Sequence, residues 1–170
     1  MDATIRKRII DLLDANRIMT IATLRSDGWP QATTVGYVND GLAFWFLCGL
    51  ASQKAANLAR DDRVSLTVNG DPSNIMAITG LSMAARAVPV TDRAEAEKAL
   101  RLMPSKYPEQ KALPVAMPTP DDVSIFRIEP TVISVLDYTQ GFGTPISSLV
   151  RDHSMRRLVS GLLDMPLLRR

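Results

Sequence analysis

The sequence predicts a mainly β protein, a closed antiparallel barrel with helices at its periphery. Three observations carry this expectation. Short apolar, β-branched runs recur between residues 18 and 138. Asp-Gly turns, at Asp27-Gly28 and Asp40-Gly41, separate the first three runs. Short helical insertions accompany these runs, which suits a closed antiparallel barrel with peripheral helices.

Residues 4–16 carry Ile5, Ile9, Leu12 and Leu13 at helical spacing between Arg and Lys, which predicts an amphipathic helix across one end of the barrel. Three strand-like runs follow: IMTIATL (18–24), QATTVGYV (31–38) and LAFWFLC (42–48). The third is apolar at every position, as expected of a strand buried on both faces or closing a barrel. Residues 52–60 predict a short helix with Ala55, Leu58 and Ala59 as its apolar stripe. Asp61 and Asp62 open a turn into VSLTV (64–68), and a long run over 74–90 contains Gly80, which suggests a bulge or bend. Residues 91–103 predict a helix with Asp92 and Glu95 at capping-box spacing. Five of the eleven prolines fall in 104–120, which therefore reads as a loop. The last long strand is 122–138, with Pro130 marking an edge, bulge or break. Residues 146–163 predict a final helix, so the expected organisation is one domain over 1–145 and a helical tail over 146–170.

Composition excludes several function classes. The 170-residue chain has a formal net charge of +2, one cysteine (Cys48) and one histidine (His153). An intrachain disulfide and a multi-thiolate or multi-histidine metal site are impossible. A Ser-His-Asp triad would have to recruit His153 from the tail. The near balance of charge gives no case for nucleic-acid binding. The charged N-terminus lacks the apolar core of a signal peptide, and no run reaches the length of a membrane span, so a cytoplasmic location is expected.

The stretch ASQKAANL (51–58) raises a specific question. Ser52 fits a helix N-cap, and Lys54 then sits at the second helical position, where backbone N–H groups already present positive charge. Either an anion is held there, or Ser52 is an ordinary cap and Lys54 points into water. From these residues alone the solvated lysine is the commoner arrangement.

Together, MTIATLRSDGWPQATTVGYVNDGLAFWF, SQKAANLARDDRVSLTV and GLSMAARAVPVTD resemble the pyridoxamine 5′-phosphate oxidase-like, FMN-binding split-barrel superfamily over about residues 5–137. The resemblance implies a six-stranded antiparallel split barrel that forms a homodimer, with flavin sites in the grooves between subunits. It implies that Lys54 binds the FMN phosphate, with Ser52 in the same turn and Gln53 where relatives often carry Arg. Thr33, Thr34, Val35 and Gly36 would pass the flavin along a strand, Leu47 and Cys48 would flank the ribityl chain and phosphate, and Leu81 would face the flavin from the fifth strand. Tyr138 and Phe142, in LDYTQGFGTP (136–145), would either cover a ring system or close the barrel mouth in a glycine-rich turn. Two departures stand out. Thr33 replaces a phosphate-binding Arg of the true oxidases, and residues 130–170 lack the Trp of their substrate-holding segment, which argues against pyridoxamine phosphate oxidation itself.

The functional expectation is a flavoprotein that passes electrons to a small molecule, with no catalytic side chain identified. The alternatives are a deazaflavin cofactor at the same helix mouth and a non-enzymatic module that keeps the barrel. Haem ligation by histidine has only His153 to use, in a poor location. Cys48, Trp29 and Trp45 are expected to serve packing and turns, and the tail's arginines and leucines could suit a membrane surface as well as a protein one.

Overall fold

A computed structural model describes residues 1–112, 114, 117–141 and 145–150. In chain order its elements are α1 (Ala3–Ala15), β1 (Ile18–Leu24), β2 (Pro30–Asp40), β3 (Ala43–Gly49), α2 (Gln53–Arg60), β4 (Arg63–Asn69), β5 (Thr79–Pro89), α3 (Arg93–Lys106), β6 (Val123–Asp137) and β7 (Pro145–Val150). Every strand pairing is antiparallel, in the order β3-β2-β1-β4-β5-β6, and β3 returns to pair with β6. Six strands thus close a barrel, and β7 adds to the second half of β6.

Alternation places one set of side chains inside. Met19, Ile21, Leu66, Val68, Leu81, Met83, Ile133 and Val135 fill the interior with Tyr37, Phe44 and Phe46. Phe46 stacks on Phe126 with centroids 5.3 Å apart. Each such side chain contributes about 1.5–3 kcal/mol on leaving water. β3 is apolar throughout because it serves two cores: Phe44 and Phe46 face the barrel, while Trp45 packs with Ala96, Ala99 and Met103 under α3. Ile9, Leu12 and Leu13 of α1 join the barrel core, and so does Leu58 of α2. α1 meets the sheet near the start of β1, through Tyr37 Oη donating to Leu13 O at 2.8 Å. α2 meets it near the end of β1, through Asn57 Nδ2 donating to Thr23 Oγ1 at 2.9 Å. The two helices therefore cover opposite ends.

Three expectations are corrected. Residues 145–150 form β7, paired with Val132–Leu136, so the tail does not begin as a helix at 146; residues 151–170 lie outside the described residues. The irregularity expected at Gly80 falls instead between Ala84 and Ala85, opposite Pro130, where the missing N–H breaks the ladder. Gly80 is needed for close approach, since a Cβ there would meet Val68 O at 2.6 Å. Finally, only half of the capping box forms: Asp92 accepts from Glu95 N at 3.0 Å, but the Glu95 carboxylate turns to Trp45 Nε1 and Arg127. Among the described residues no helix is long and apolar enough to cross a membrane.

Candidate functional site

The barrel is split beside α2. β2 pairs with β3 only through Tyr37–Asp40, whereas β1 pairs with β2 along Pro30–Gly36. From Gln31 to Gly36, β2 therefore has an open edge on its β3 side. Tyr37 N–H points the other way, to Arg17 O at 3.4 Å and Tyr107 Oη at 2.7 Å. Strand alternation then turns the N–H and C=O of Ala32, Thr34 and Gly36 toward the open edge. Beyond it, β3 has crossed to β6, pairing Leu47–Gly49 with Val123–Ile125, and hands over to α2.

The entrance of α2 is built as a helix cap. Ser52 has extended φ/ψ of −72° and 147°, and its Oγ accepts from Ala55 N at 3.2 Å. That satisfies one first-turn donor. Among the described residues the N–H groups of Gln53 and Lys54 have no acceptor, and the positive end of the helix dipole lies there. Lys54 is half-buried and also unpaired among the described residues, unlike Lys7 on Asp11, Lys98 on Asp40 and Lys106 on Leu13 O. Gln53 is exposed and donates to Asn57 Oδ1 at 3.0 Å.

Asn57, which sequence reasoning missed, is 0% exposed. Besides Thr23 it donates to Gln31 Oε1 at 3.3 Å, so one carboxamide joins α2, β1 and β2 where the barrel opens. Its signal in the sequence was a poor helix former set beside Leu58 on the face that packs inward.

The remaining expected residues divide. Thr33 is half-buried on the same face of β2 as Gln31, and Thr34 is exposed on the opposite face. Val35 and Cys48 pack against the barrel core, and Leu47 packs in the cluster under α3. Leu81 is corrected: it is 0% exposed inside the barrel, so its side chain cannot face a ligand outside it. Gly36 has a structural reason, because a Cβ there would stand 2.7 Å from Tyr107 Oη. Tyr138 is half-buried in a single 3-10 turn after β6, and Phe142 lies outside the described residues. An apolar hollow of about 400 Å³, lined by Leu50, Ala55, Ala59, Pro89 and Phe126 among others, runs along α2 but does not include Lys54.

The outer face of the sheet carries rows of hydroxyl and methyl side chains. Thr34, Thr20, Thr67, Ser82 and Ser134 are successive cross-strand neighbours, and Ser148 occupies the next register position on β7. The adjacent row is Ala32, Ala22, Ser65, Ala84 and Val132. Apart from Val132 at one end, the second row is Ala and Ser and the first Thr and Ser, so a second surface can approach the backbone closely there.

Solved structures share this fold. A candidate pyridoxamine 5′-phosphate oxidase from Listeria innocua is 16% identical over 78% of this chain and 98% of its own, with a TM-score of 0.64. The conserved protein Rv2991 from Mycobacterium tuberculosis is 24% identical over 88% of this chain and 92% of its own, with a TM-score of 0.68. A haem-binding protein from Mycobacterium smegmatis is 21% identical over 88% of this chain but only 58% of its own, with a TM-score of 0.68. At these identities the likeness is one of fold. Among curated proteins none matches the sequence. The family model for pyridoxamine 5′-phosphate oxidase matches residues 5–137, from within α1 to the end of β6 and through the whole of α2 and the open edge of β2, and the chain belongs to that family.

Proposed function

We propose that this protein is an FMN-binding oxidoreductase of small molecules, acting as a homodimer, and not a pyridoxamine phosphate oxidase. The observation that carries this reading is Lys54: a half-buried ammonium without a partner among the described residues, beside two N–H groups that also lack one, at a helix N-terminus. A cation at that end of a helix is unfavourable unless an anion joins it. The donor set suits a phosphate monoester, with Lys54 Nζ and the amides of Gln53 and Lys54 as its ligands. Thr33 adds no charge, so the site rests on one cation where the resemblance implies more. Thr34 and Gly36 would offer backbone groups from the open edge of β2, and Tyr138 an aromatic surface. Bound flavin would supply hydride or electron transfer, while the chain binds, orients and shields it. The rows of Thr, Ser and Ala on the outer sheet face support a second copy as the partner.

Deazaflavin would use the same helix mouth. Haem is a second reading, favoured by the relative from M. smegmatis; the sole histidine, His153, lies outside the described residues. An absorption spectrum of freshly purified protein separates flavin, deazaflavin and haem. The decisive variant is Lys54→Ala, which should raise the FMN dissociation constant about tenfold or more, the worth of one charge-assisted hydrogen bond. Riboflavin, which lacks the phosphate, should bind both proteins alike. FMN binding undiminished in the variant overturns the phosphate assignment.

A further inference from the structure

We infer that Asn57 is a positioning residue for the anion site, and that it acts by fixing the entrance of α2 against the open edge of β2. The inference rests on the FMN reading above. Asn57 is 0% exposed, so it touches no ligand itself. Its carboxamide is nevertheless the meeting point of three side chains from three elements. Gln53 Nε2 donates to its Oδ1 at 3.0 Å from the first turn of α2. Its own Nδ2 reaches Thr23 Oγ1 at 2.9 Å on β1 and Gln31 Oε1 at 3.3 Å on β2.

These contacts span the place where strand pairing fails. β2 has no ladder with β3 from Gln31 to Gly36, so the usual hydrogen bonds cannot set the distance between β2 and α2. α2 itself is only eight residues long and carries just two buried residues, Asn57 and Leu58. Leu58 fixes its depth in the core but not its rotation. Three hydrogen bonds from one buried atom group do fix rotation, because they are directional and costly to leave unmade. Gln53 adjoins Lys54, so a roll of the helix about Leu58 would change where the free amides and the ammonium point relative to β2, which Asn57 reaches through Gln31. A misplacement of this kind weakens only the phosphate end of a bound nucleotide.

The experiment compares FMN with riboflavin on wild-type protein, Asn57→Ala and Thr23→Val, with thermal melts of each without ligand. Thr23 is 3% exposed and cannot contact ligand, and its valine isostere keeps the packing if Asn57→Ala fails to fold. Both variants should lose about tenfold in FMN affinity while riboflavin affinity changes less than about twofold. In a background of Lys54→Ala, Asn57→Ala should cost FMN less than it costs alone, because the ammonium is gone and only the two backbone amides remain to be positioned. Unchanged ratios of FMN to riboflavin affinity, with only a lowered melting temperature, would reduce Asn57 to a packing residue and overturn the inference while leaving the FMN reading intact. Equal FMN and riboflavin affinities in wild-type protein, or no flavin binding, would overturn both.

Discussion

Replacing Gly36 by alanine tests whether that glycine serves the neighbouring tyrosine. Tyr107 ends α3, is 8% exposed, and wedges its hydroxyl beside the strand pair β1–β2. The hydroxyl accepts from Tyr37 N at 2.7 Å and offers its proton to the carbonyls of Tyr37, at 2.9 Å, and Arg17. A Cβ on Gly36 would stand 2.7 Å from Tyr107 Oη and 3.2 Å from Cζ, so the phenol must move. Moving it leaves the buried Tyr37 N–H with only Arg17 O, at 3.4 Å. Overpacking and a weakened buried donor together cost about 2–4 kcal/mol. In a chain of this size that lowers Tm by roughly 5–15 °C. Tyr107→Phe alone should cost about 1–2 kcal/mol for the lost hydroxyl. The diagnostic is the double variant, since removing the oxygen leaves the new methyl only a tight contact with the ring. Gly36→Ala should add less than about 1 kcal/mol on top of Tyr107→Phe. Urea titration of the four proteins gives the cycle. Additive costs would refute the reasoning and leave the expected flavin contact as the reason for Gly36.

Three further expectations follow from packing and charge. Glu95→Ala removes the acceptor of the nearly buried Trp45 indole at 2.7 Å and one partner of Arg127, so urea unfolding should show a loss of about 2–3 kcal/mol, with Glu95→Gln milder. Asp61 is held below its ordinary pKa of 3.8 first by the Arg63 guanidinium and then by the Arg63 N–H. A depressed carboxylate contributes stability that is present above its unfolded pKa and lost as pH falls through the folded one, so the Tm gap between wild type and Asp61→Asn should be constant near neutral pH and close below about pH 3.8. Thr67→Arg, in the middle of the hydroxyl row between Thr20 and Ser82, should make the protein monomeric in sedimentation velocity; an unaltered dimer would remove the outer sheet face from the interface.

Most of the fold was legible because its signals are local. Strand β1 coincides with the run IMTIATL, and α2 begins one residue after the serine that caps it. Turn chemistry set the hairpins, and Gly28 and Gly41 take the positive φ of 84° and 61° that those turns require. The misread elements were those decided by partners distant in sequence. Residues 146–150 carry apolar positions that suit a helix, yet β6 offers them an unpaired edge and they add to it as β7. Glu95 has the spacing to complete a capping box, but Trp45 and Arg127 compete for its carboxylate and win.

The site was legible in its charges and not in its orientation. Lys54 and Ser52 stand out in sequence because cap and cation adjoin, and the structure places both at the mouth of α2. Leu81 could be aligned with a ligand-facing position, but a strand's side chains alternate, and its neighbours in the core, Val68 and Val135, decide that it points inward. Gln53 looked like a phosphate donor in place of Arg, whereas the buried Asn57 one turn later claims its amide. This exchange has a functional consequence. A guanidinium at 53 would supply charge, but the glutamine supplies rigidity to a helix that has lost strand support along Gln31–Gly36. If the proposed anion site holds one cation, binding there depends more heavily on where that cation is held. Gln53→Arg should therefore tighten FMN through charge but sever the tie to Asn57 Oδ1. The variant's ratio of FMN to riboflavin affinity, measured with and without Asn57→Ala, weighs the two effects against each other. A ratio that rises in both backgrounds means charge dominates; one that falls means position does.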